Sequence, residues 1–170
     1  MSNLSRLQKV CRYASVVMTV AEAVLAVIVV ANSVFGIGAL FNDGMKQSLT
    51  RDWLHLDSPS DTVLASACLE QILILILGFL TVMMLRKIMV SVSKEHSPFT
   101  EENATRMKAV SLIYLISSPF LLILGFLMEM NISHNIFVFL GVLLVSVVTY
   151  CLALMCRYGH ILQDESDMTL

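Results

Sequence analysis

Charge is spread so unevenly along this chain that it fixes the architecture before any propensity is weighed. Residues 13–42 carry one charge, Glu22, and residues 62–85 carry one, Glu70. Residues 109–128 carry none, and 130–156 carry only the titratable His134. A hydrocarbon core of about 30 Å is crossed by about 20 helical residues at 1.5 Å each. Every run meets that length. The composition agrees, with 57% hydrophobic and 14% charged residues where soluble domains carry roughly 25% charged. The chain reads as an all-α polytopic membrane protein, a four-helix transmembrane bundle with short connections. It forms one domain over residues 1–170, with spans at roughly 14–41, 62–85, 108–129 and 134–156.

Orientation follows from lysine and arginine, which favour the cytoplasmic side. Arg6, Lys9 and Arg12 precede the first span, Arg86, Lys87, Lys94, Arg106 and Lys108 join the second to the third, and Arg157 follows the fourth. Only Lys46 and Arg51 fall on the other side, in a loop that also holds Asp43, Asp52, Asp57 and Asp61. Both termini are therefore expected in the cytoplasm of a cell with a plasma membrane as the host bilayer. The first apolar run exceeds the 7–15 residues of a signal-peptide core and ends in no convincing cleavage site, so it reads as a retained span.

The connections read as helix edges. Leu4, Leu7, Cys11 and Ala14 follow helical spacing opposite Arg6, Lys9 and Arg12, an amphipathic entry to the bilayer. The outer loop, 42–61, opens on the turn signal Asn42-Asp43-Gly44. Met45, Leu49, Trp53 and Leu56 then recur as on a short surface helix, which Pro59 ends. In the inner loop, 86–107, Ile88 to Val92 can prolong the second helix until His96-Ser97-Pro98 stops it. Thr100 is a good N-cap for the third, and Glu101 and Glu102 suit the positive end of its dipole.

Polar residues inside the spans are the next signal, since an ionisable group there is costly. Sliding the long first helix toward the cytoplasm brings Glu22 near the inner headgroups, so an interfacial and an intramembrane role are equally open. Glu70 has less slack and should face the bundle, hydrogen-bonded or protonated. An interhelical hydrogen bond is the plainer role, and an ion or proton site the sharper one. In Ser117-Ser118-Pro119 the proline frees a carbonyl one turn back, which a neighbouring serine can satisfy. Tyr114, Ser146, Thr149 and Tyr150 lie at similar depth and form a candidate polar layer.

Other chemistry is not signalled. The four cysteines form no CxxC pair, and no Ser/His/Asp set, metal-ligand cluster, phosphate loop or HExxH is present. No catalytic role, cofactor or metal is expected. A net charge of −2 argues against direct nucleic-acid binding. A homo-oligomer is compatible with the sequence.

Two segments carry a family resemblance. Pro98-Phe99-Thr100-Glu101-Glu102-Asn103, with Arg106-Met107-Lys108 following, resembles the Pro-Phe-Thr/Ser…Glu-Asn…Arg pattern of the bacterial and archaeal membrane proteins of domain-of-unknown-function family 2975. Ser97 stands where that pattern has glycine. The tail from Gly159 to Leu170, with Leu162, Gln163, Glu165 and Asp167 in register, resembles its closing Gly-x-x-Leu-Gln-x-Glu-x-Asp-Leu-Thr-Ile pattern. The resemblance implies four spans and no defined activity. It also implies a cytoplasmic partner, a small helix-turn-helix regulator of the kind often encoded beside such proteins.

The functional expectation is a non-enzymatic regulatory or interaction protein. Its inner loop (Pro98, Phe99, Thr100, Glu102, Asn103, Arg106) and its cytoplasmic tail, 157–170 (Gly159, Leu162, Gln163, Glu165, Asp167), are the candidate partner surface. The competing expectation is a small transporter or channel using Glu70, with Glu22, as a proton- or cation-coupled carboxylate. Short outer connections would bring loop and tail together, with Leu162 near Phe99 and the tail's acidic residues near Arg106 and Lys108.

Overall fold

The computed structural model describes residues 3–50, 60–94, 97–128 and 132–168. Trp53, Leu56, Pro59, His96, residues 129–131, Thr169 and Leu170 lie outside the described residues, as do the side chains before Gln8 and that of Asp167. Five helices follow one another: α1 (Asn3–Phe41), the short α2 (Asp43–Ser48), α3 (Asp61–Ser93), α4 (Glu101–Leu127) and α5 (Ile132–Met168). No strand occurs among the described residues. α1, α3, α4 and α5 are each long and apolar enough to cross a membrane.

Local chemistry sets the helix starts. The Ser60 hydroxyl accepts from the Val63 N–H at 3.3 Å, and Thr100 Oγ1 accepts from the Asn103 N–H at 3.2 Å. Each satisfies an amide left without a partner in the first turn. Asn42 does the same for α2, its Oδ1 accepting from Gly44 and Met45. The Asn-Asp-Gly turn signal is thus a helix cap. A further difference lies at the other end of the chain. The segment after Arg157 continues α5 to Met168 rather than leaving as a separate tail. Ile161 to Glu165 contains neither proline nor β-branched residues beyond Ile161, and His160 and Asp164, one turn apart, approach at 3.6 Å.

The four long helices pack mainly in series, α1 on α3, α3 on α4, α4 on α5, each pair antiparallel. Between α1 and α3, Gly36 meets Cys68 and Glu22 meets Arg86. Between α3 and α4, the Tyr114 hydroxyl donates to the Leu77 carbonyl at 3.1 Å, and Thr81 Oγ1 lies 2.7 Å from it. Between α4 and α5, Ser146 donates to the Ser111 carbonyl at 2.8 Å. Leu77, Met84, Met107, Tyr114, Leu121 and Cys156 belong to one buried apolar cluster around α4. The most apolar stretch of α1 buries none of its residues. Apart from Glu22, which pairs with Arg86, its polar side chains bond within the helix, Ser15 to Arg12, Thr19 to Ser15, Asn32 to Ile28 and Ser33 to Val29. Such a helix can face hydrocarbon without orphaned polar groups.

The kink chemistry read at Pro119 is present. The proline leaves the Leu115 carbonyl without its helical donor, and the buried Ser118 hydroxyl donates to it at 3.0 Å. The polar layer is narrower than expected. Tyr114, Ser146 and Thr149 are buried, but Tyr150 is exposed, because it lies one residue round the helix from Thr149.

Candidate functional site

The antiparallel order puts the start of α1, the end of α3, the start of α4 and the end of α5 at one end of the array. Arg12, Arg86, Lys87, Lys94, Arg106, Lys108 and Arg157 gather there, so it is the basic end. The two segments singled out in the sequence also meet there.

The turn into α4 is built by its own side chains. Asn103, 1% exposed, donates from Nδ2 to the Pro98 carbonyl at 3.1 Å. Its Oδ1 accepts from Arg106 Nη1 at 3.4 Å, and Arg106 is ion-paired with Glu102 one turn before it. The Ser97 hydroxyl accepts from the Phe99 N–H at 3.1 Å. A buried amide bonded through both its nitrogen and its oxygen is firmly held. Pro98, Thr100, Glu102, Asn103 and Arg106 therefore form one cap that fixes the direction of Phe99.

Phe99 lies against Gly159 of α5. A Cβ on that glycine would stand 2.7 Å from the Phe99 Cδ1 and 3.2 Å from its Cβ, closer than any side chain tolerates. The absence of a side chain at 159 is what lets ring and helix touch. One turn deeper, the buried Cys156 thiol reaches Met107 Sδ at 3.8 Å. At the opposite end, Gly125 plays the same part for the buried Asn135 side chain. The α4–α5 pair is thus pinned at both ends by glycine contacts, with the Ser146–Ser111 hydrogen bond between them.

Loop and tail do meet, at Gly159. Leu162, expected against Phe99, is 48% exposed. Ile161, Gln163, Glu165 and Met168 are also exposed on the outer reach of α5. Asp164 approaches His160 on its own helix, and Arg106 pairs with Glu102, so these two charges have local partners. Asp167 belongs to α5.

The two carboxylates inside the apolar runs have different settings. Glu22 forms an ion pair with Arg86, and Arg86 Nη2 also donates to Glu22 Oε1 at 3.4 Å. Arg86 closes the apolar run of α3, so this pair stands at the basic edge of the apolar slab. Sequence reading weighed Glu22 alone and missed its partner. The signal was available, since an acidic residue early in one span and a basic one late in the next fall at similar depth when the spans are antiparallel. Glu70 lies toward the other end, 8% exposed, within electrostatic range of His134 at the start of α5. No hydrogen bond to its carboxyl group is present among the described residues. The buried hydroxyls between the helices are used on carbonyls: Ser118 on Leu115, Thr149 on Val145, Ser146 on Ser111.

No family model, curated protein or solved structure matches the chain.

Proposed function

We propose that the chain is a non-enzymatic membrane protein of the plasma membrane whose basic end faces the cytoplasm, and that this end docks a cytoplasmic protein. The observation that carries the reading is the unbroken run of α5 to Met168, roughly 16 Å beyond Arg157 at 1.5 Å per residue. That extension exposes Ile161, Leu162 and Met168, apolar side chains in a segment too polar to stay in lipid. Its base is fixed by the Phe99–Gly159 contact, so the exposed face is presented on a rigid support. Nine of eleven lysines and arginines at this end support its cytoplasmic side. The resemblance to domain-of-unknown-function family 2975 supports a small helix-turn-helix regulator as the partner. Nucleic acid would be contacted by that regulator and not by this chain.

The transport reading has one observation in its favour, the burial of Glu70 near His134. Against it stands the fate of the other buried polar groups. Leu77 and Leu121 are buried below Glu70, and the hydroxyl pair Thr81–Tyr114 ends on the Leu77 carbonyl, with no further hydroxyl continuing it among the described residues.

The test is purification of the full chain from mild detergent with identification of co-purifying proteins, beside Leu162→Glu. A DNA-binding regulator retained by the wild type and lost by the folded variant supports the reading. Identical companions in both overturn it.

A further inference from the structure

Between α3 and α4 at the basic end lies a cavity of about 460 Å³, within the range of about 300–1,000 Å³ usual for small-molecule sites. Its lining includes four cations, Arg86, Lys87, Lys94 and Arg106, against one carboxylate, Glu102. Two of the cations are already oriented by side-chain partners: Arg86 by Glu22 of α1, and Arg106 by Asn103 and by Glu102, itself on the lining. A guanidinium offers five N–H donors, so neither arginine is exhausted by these contacts, and each is oriented before anything binds. Val90 and the aliphatic stems of the lysines supply an apolar wall. Arg86 immediately follows the apolar run 62–85, which places the cavity mouth at the level where phospholipid phosphates lie.

We propose that this cavity binds the headgroup of an anionic phospholipid. The shared chemistry is a phosphate oxyanion met by pre-oriented arginines and lysines, as in basic pockets between membrane helices. The volume and the apolar wall favour a lipid over free phosphate, which would leave most of the space unfilled and has no apolar part to cover Val90. Glu22, which is not on the lining, acts here as a positioning residue for Arg86, and Glu102, on the lining, orients Arg106. The inference does not depend on the docking reading above, since it concerns the cleft between α3 and α4 and is tested without a partner.

The experiment uses the full chain, stripped of lipid in a non-ionic detergent and examined by native mass spectrometry. Dioleoyl phosphatidylglycerol is compared with dioleoyl phosphatidylcholine, on wild type and on the Lys87→Gln/Lys94→Gln double variant. Neither lysine is a member of the Glu22–Arg86 or Glu102–Arg106 pair, and circular dichroism and the elution profile verify that the variant is folded. The expected result is retained phosphatidylglycerol on the wild type and about tenfold weaker retention on the variant. Phosphatidylcholine should be retained weakly by both, and equimolar inorganic phosphate should displace nothing. Equal retention of the two lipids, or retention unchanged in the folded variant, overturns the proposal. Displacement by equimolar inorganic phosphate overturns it in favour of a soluble-phosphate site.

Discussion

The ring of Phe99 rests on the α-carbon of Gly159, and through that contact the turn before α4 fixes the point where α5 leaves the apolar slab. Sixty residues of chain separate the two, and the antiparallel α4–α5 pair brings them together.

The contact predicts its own sensitivity. Gly159→Ala places a methyl carbon within 3 Å of the Cγ–Cδ1 edge of Phe99 and should cost about 1–3 kcal/mol, the usual penalty of overpacking. In a Phe99→Ala background the same change should be neutral or stabilising, because alanine exceeds glycine in helix propensity by about 0.8–1.0 kcal/mol. Unfolding midpoints in detergent micelles measure both. An equal cost in the two backgrounds would contradict the packing account.

A second coupling joins α1 to α3. Glu22 and Arg86 have side chains 18% and 31% exposed, so removing either leaves a partly buried charge without its partner. Glu22→Ala and Arg86→Ala should each destabilise by about 1–3 kcal/mol, and the double variant by less than the sum. A double-mutant cycle gives the coupling directly. Additive losses would mean that the pair is not formed.

How much of this was legible in the chain depends on the range of the interaction. The cap at Thr100 and the rescue of the Leu115 carbonyl by Ser118 depend on residues within a turn of one another, and the sequence displays them. The Glu22–Arg86 pair and the seat of Phe99 depend on which helix lies beside which. The charge pattern counts spans but does not order them in space. Gly159 could have been suspected, since a lone glycine inside a helix usually answers to a packing need. The helical course of the tail was obscured by that same glycine and by the polar residues after it. The serial arrangement of the long helices had no sequence signal at all, because a lipid-facing stripe and a helix-facing stripe are both apolar.

Glu70 separates the two functional readings. Glu70→Gln keeps an acceptor and adds donors, so the variant should fold within about 1 kcal/mol of wild type and keep its cytoplasmic partner. Proteoliposomes should show no proton or cation flux that depends on this residue. A robust flux abolished by Glu70→Gln would replace docking with transport.

The charge asymmetry predicts topology. Reporter fusions after residues 96 and 170 should read cytoplasmic, and a fusion within residues 45–57 should read external, because Lys46 and Arg51 are the only two of eleven lysines and arginines on that side. An external C-terminus would remove the docking surface from any cytoplasmic partner.

The most direct measurement of the central claim is photo-crosslinking in living cells from single positions of the full chain. A photoreactive residue at 162, on the exposed extension of α5, should yield one protein adduct of defined mass, identified as a soluble cytoplasmic protein. The same residue at 144, an exposed position in the apolar run of α5, should yield no adduct with a soluble protein. Adducts with the same soluble protein from both positions, or none from 162 while the chain is folded and inserted, would contradict the claim that the extension of α5 is a docking surface.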